Sequence, residues 1–126
     1  MHGDEERVKR IQVIDYKGKE IIYLDFSDCN VSEVFEIIEI AKKIIRVQPL
    51  NSVLTLTNVS GTKYNREVIQ AMKEFANDNK PFVRAGAVVG IDGLKRVVYD
   101  AITRFSERNL PAFDDNEKAK DWLIRQ

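Results

Sequence analysis

Short apolar runs alternate with longer segments of helical period, and this alternation limits the possible folds more than any other feature of the chain. Val53-Leu54-Thr55-Leu56-Thr57 and the run from Ala85 to Ile91 are too short for packed helices and suit strands covered on both faces. They predict strands over 51–59 and 82–90. Between and after them, Val68, Ile69, Met72, Phe75 and Ala76, then Leu94, Val97, Val98, Ala101, Ile102 and Phe105, recur at the spacing of one helix face. These predict helices over 66–77, capped by Asn65, and over 93–107, capped by Asp92. Strands joined through such helices run parallel, because a tight turn can only join antiparallel neighbours.

The ends of the chain complete the pattern. Residues 8–14 alternate loosely and carry Lys, Arg and Gln, as an edge strand does. A turn over 15–19, with Gly18 free to take positive φ, leads into the continuous apolar strand 20–26, forming an antiparallel hairpin. Asn30 and Glu33 have capping-box spacing ahead of a helix over 30–48 with Val34, Ile37, Ile38, Ala41, Ile44 and Ile45 inward. Residues 110–113 form a last edge strand around Pro111. Asp114 and Glu117 open a final helix that buries Ala119, Trp122 and Leu123. The order β-β-α-β-α-β-α-β-α predicts a single α/β domain over 8–126, after a flexible 1–7. It has a mixed, mostly parallel five-stranded sheet flanked by four helices.

Composition removes several functions. Lys plus Arg and Asp plus Glu each number 20, so no basic surface marks nucleic acid or an anionic membrane as a partner. One cysteine, Cys29, and one histidine, His2, exclude a disulfide scaffold and argue against zinc or a histidine-dependent triad. Cys29 suits a small semi-buried side chain, and Asp25 and Asp28 suit a strand end and turn. The seven-residue run from Ala85 to Ile91 is far shorter than a membrane span, and the polar, acidic start lacks a signal-peptide core. A cytoplasmic protein with no integral membrane segment, metal, cofactor or catalytic set is expected.

Four segments carry a family resemblance. They are Tyr16-Lys17-Gly18-Lys19-Glu20-Ile21 with Leu24-Asp25, the strand Val53 to Asn58 running into Ser60-Gly61, the stretch from Ala85 to Leu94, and Phe113-Asp114 followed by Ala119, Trp122 and Leu123. In that order they resemble the bacterial SpoIIAA-like family. Its members have the STAS-type fold of anti-sigma-factor antagonists, similar to the CRAL-TRIO lipid-binding fold. The resemblance implies a non-enzymatic regulatory or ligand-binding module that meets a protein partner through Ser60 to Met72. Where phosphorylated antagonists resemble Asp-Ser-Ser-Gly, this chain has Thr62-Lys63-Tyr64-Asn65. The phosphorylated serine is absent, and Ser60 and Thr62 are the hydroxyls left to substitute for it.

Ligands of open parallel sheets bind outside the carboxyl ends of the strands. The loops 27–30, 58–63 and 90–93 should meet there. That makes Asn58, Ser60, Gly61, Thr62, Lys63, Gly90, Asp92 and Gly93 candidates for binding a partner loop or an anionic ligand, with Lys63 and Lys95 complementing its charge. The competing assignment makes Asn30, Asp92 and the glycines ordinary caps and turns, and Gly90-x-x-Gly93 matches neither a P-loop nor a dinucleotide fingerprint. An alternative function is a carrier or sensor of a lipid or other apolar small molecule, in a cavity lined by Phe35, Ile38, Phe75 and Phe105. A small enzyme is the other alternative. Tyr64, Phe105 and Trp122 are the expected contacts of a homodimer.

Overall fold

Lys17 and Gly18 take φ of 50° and 87°, a pair of positive values that matches the twist of a two-residue hairpin. The turn is therefore tighter than expected. Asp15 and Tyr16 belong to strand β1 (Ile11–Tyr16), which pairs antiparallel with β2 (Lys19–Asp25). The computed structural model describes residues 10–126, with only the backbone of Leu94. The expected flexible segment 1–7, with His2, and strand residues Val8 and Lys9 lie outside the described residues.

The elements that follow are α1 (Val31–Ile45), β3 (Val53–Asn58), α2 (Arg66–Asn79), β4 (Val83–Val89), α3 (Gly93–Ser106), β5 (Ala112–Phe113) and α4 (Asn116–Leu123). The sheet order is β1-β2-β3-β4-β5, and every pairing after the hairpin is parallel. Both halves of the predicted capping box form at α1, where the Asn30 side chain accepts from Glu33 N and the Asn30 N–H donates to the Glu33 carboxylate. Asn65 and Asp92 cap α2 and α3. At α4 the cap is Asp115 rather than Asp114. The helix starts at Asn116, so the residue directly before it reaches the Lys118 N–H, at 2.8 Å.

The sheet has two differently covered faces. On the front, Ile22, Leu24 and Val53 pack with Val34, Ile37, Ile38, Ala41 and Ile45 of α1 and Val68 and Phe75 of α2. On the back, Ile21, Leu54, Leu56, Ala87 and Val89 pack with Ala119 and Leu123 of α4, joined by Phe113 and Trp122 with ring centroids 5.8 Å apart. Helix α3 departs from expectation. Val97 and Phe105, expected inward, are 72% and 49% exposed. The apolar stripe of α3 is wider than the face it can bury: Val98, Tyr99, Ile102 and Thr103 turn toward the sheet, while 97 and 105 point away.

Candidate functional site

The three predicted loops do meet along the carboxyl ends of the strands. Phe26 N donates to Asn58 O and Asp28 N to Ser60 O, both at 2.8 Å; Lys63 N donates to Cys29 O at 2.9 Å, and Val59 N to Val89 O at 3.0 Å. Asn58 braces this rim from its side chain, donating to the Tyr23 hydroxyl and accepting from Ser60 N, each at 3.0 Å. Thr62 is 7% exposed and donates to Phe26 O at 2.7 Å. Gly61 and Gly90 allow close approach: a Cβ on Gly61 would lie 2.0 Å from Asp28 Oδ1, and one on Gly90 2.5 Å from Ser60 N. Asn58, Gly61, Thr62 and Gly90 thus hold the rim together, whereas Ser60, Lys63, Asp92 and Gly93 face solvent. Asp92 also meets Lys95 Nζ at 3.5 Å. Cys29 is buried beneath the rim, and burial raises its thiol pKa.

Beneath the rim, on the front of the sheet, lies a cavity of about 120 Å³. Its floor is the front of β3 and β4, and its roof is α2 and α3. The cause is local. Thr55 and Thr57 alternate with Leu54 and Leu56, so β3 sends its leucines to the back core and short threonines forward. On β4, Gly86 lies on the same face and lets the lining residues Leu110, Thr55 and Arg108 come close over it. The other walls are mainly Leu24, Phe26, Val68, Phe75, Val88 and Ile102. Among the lining residues Tyr64, at 39%, is the exposed one, so its loop forms both cavity wall and outer surface. Of the four residues expected to line a cavity, only Phe75 does. Ile38 is buried in the α1 half, Phe35 packs beside that core, and Phe105 points outward.

Two polar groups at the far end, away from Tyr64, were not anticipated. Asn79 is 2% exposed and its Oδ1 has no hydrogen-bond partner. Arg108 is turned into the cavity by Glu107, whose φ of 55° reverses the chain after α3, with Arg108 N donating to Thr103 O at 3.3 Å. Burial lowers the Arg108 pKa to about 10, and the group remains cationic at neutral pH. Of the other expected contact residues, Trp122 is half-buried against Phe113. No group of three or more His, Cys, Asp or Glu among the described residues is placed to hold a metal.

With this geometry in place, the comparisons give one informative match. The crystal structure of an uncharacterized protein of the DUF3478 family from Shewanella loihica PV-4, with a SpoIIAA-like fold, superposes with a TM-score of 0.70. The match covers 90% of this chain and 91% of that one. The fold is SpoIIAA-like. At 10% identity the likeness concerns the fold alone. No protein-family model and no curated protein matches the sequence. No helix among the described residues is long and apolar enough to cross a membrane.

Proposed function

We propose that this chain is a non-enzymatic cytoplasmic module. It takes a small apolar molecule into the cavity beneath α2 and α3 and presents the occupied state to a partner through the surface from Ser60 to Met72. The cavity carries the proposal. At about 120 Å³ it is close in size to the engineered apolar cavity of about 150 Å³ that stays dry and binds benzene or xenon. Tyr64 and Met72 belong both to its wall and to that surface, so occupancy bears directly on what a partner would touch. A cavity between helices and sheet, with the Asn58 and Thr62 side chains engaged in holding the loops together, favours a carrier or sensor over an enzyme.

Titrating labelled protein with benzene and following its amide resonances tests this. Shifts should concentrate at Thr55, Thr57 and Val88, with a rise in melting temperature as ligand binds the native state alone. Shifts absent from those residues, or confined to exposed Val13 and Leu50, would overturn it.

A further inference from the structure

We infer that the ligand is a small apolar monocarboxylate, its carboxylate held by Arg108 at the end of the cavity away from Tyr64 and its hydrocarbon part lying toward Tyr64. This rests on the cavity being a binding site. Several separate observations identify the anchor. The guanidinium makes one hydrogen bond, NH1 to Ala76 O at 3.2 Å, and no carboxylate among the described residues pairs with it. NH2 lies over β4, 3.1 Å from where a Cβ on Gly86 would stand, and Arg108 is one of the residues that line the cavity. Arg108 is half-buried, and arginines withdrawn from water ordinarily have an acidic partner, because a guanidinium has five donors in a fork that matches a carboxylate.

Asn79 points to the same ligand independently. It lies one turn after Ala76 on α2, lines the same cavity, and leaves a buried amide oxygen unpaired. Buried polar atoms without partners are rare, and a ligand is one way to satisfy them. A half-turn of the amide would present Nδ2 to one oxygen of a carboxylate on Arg108, while a protonated acid would donate to Oδ1 directly. The rest of the lining is apolar apart from the hydroxyls of Thr55, Thr57, Thr62, Tyr64, Tyr99 and Thr103 and the Lys95 amine by the rim, and the space suits a branched chain of a few carbons or a small ring. Phosphate esters and other strongly hydrated dianions fit poorly at this end, since Arg108 is the one cation there and Lys95 stands by the rim, paired with Asp92.

The deciding comparison is 3-methylbutanoate against 3-methylbutanamide, which have the same shape and differ in charge. Both are titrated into labelled protein at neutral pH. The carboxylate should bind about tenfold tighter or more, the range expected for charge-assisted hydrogen bonds. Arg108→Met, with its fold verified from the same spectra, should lose that preference and keep the amide. Arg108→Lys, which keeps the charge without the fork, should retain a reduced preference, so the wild type and this variant decide the matter if the methionine variant does not fold. Equal binding of the two probes, or a preference unchanged in Arg108→Met, would overturn the anchor and leave the cavity intact. Failure of both probes to shift Thr55, Thr57 or Val88 would overturn the anchor and the binding site together.

Discussion

The two halves of the sheet's front face use the same parts and are filled differently. Under α1, β2 presents Ile22 and Leu24, and α1 answers with Val34, Ile37, Ile38, Ala41 and Ile45. Under α2 and α3, β3 and β4 present Thr55, Thr57 and Gly86, and no described apolar side chain of α3 is fully buried. Interiors pack at crystal-like density, so short side chains opposite a helix leave either a collapsed helix or a void. Here α3 runs from the Asp92 cap to the Glu107 reversal, which ties Arg108 back to Thr103, and Val98, Tyr99, Ile102 and Thr103 between them line the space over the sheet without filling it. A void results. The lesson is that stability and binding capacity are divided between halves: one half anchors the domain, and the other can afford to be empty.

Truncating the packed half should give the largest effect. Ile37 is fully buried, and Ile37→Ala should cost about 3–4 kcal/mol in denaturant unfolding. A loss below about 1 kcal/mol would erase the contrast between the halves. Gly61→Ala tests the rim that closes both. With φ at 67° and the new Cβ 2.0 Å from Asp28 Oδ1, it should destabilise by about 2 kcal/mol. In the hollow half the direction reverses. Thr57→Leu adds apolar volume where space exists, and should change stability by less than about 1 kcal/mol while abolishing benzene binding.

The smallest effects concern contacts outside both halves. The Tyr16 hydroxyl donates to Asp121 Oδ1 at 2.6 Å and Glu117 Oε2 at 3.2 Å, tying the hairpin to α4. The hydrogen bond to Asp121 raises the tyrosine pKa, and the same bond, with one from Lys17, lowers that of Asp121. The aspartate's share of stability is therefore present above the usual carboxylate range and lost as pH falls through its lowered value. The tyrosine's share is present below the usual tyrosine range and lost as pH rises beyond it. Melting temperatures across pH should show both losses, and Tyr16→Phe should flatten both. Cys29, buried and with its thiolate disfavoured, should react with a disulfide reagent only on unfolding.

Much of the architecture could be read from residues alone. Element order, the antiparallel hairpin and the caps at Asn30, Asn65 and Asp92 follow from local chemistry that tertiary context did not override. The meeting of the three loops follows from parallel topology. The cavity was harder to see, because Thr55 and Thr57 sit among leucines and Gly86 among alanines, so each strand reads as one apolar run. The available signal was the alternation itself, with large residues on one face and small ones on the other. Val97 and Phe105 misled because an apolar stripe does not say which of its edges will be covered. Arg108 gave no sign, since its burial depends on a reversal at Glu107 in a conformation usually taken by glycine.

A crystal pressurised with xenon tests the central claim most directly. Xenon should occupy the space beneath α2 and α3, bounded by Thr55, Phe75, Val88 and Ile102, with none beneath α1. Xenon absent from that space, or lodged between α1 and β2, would contradict the account.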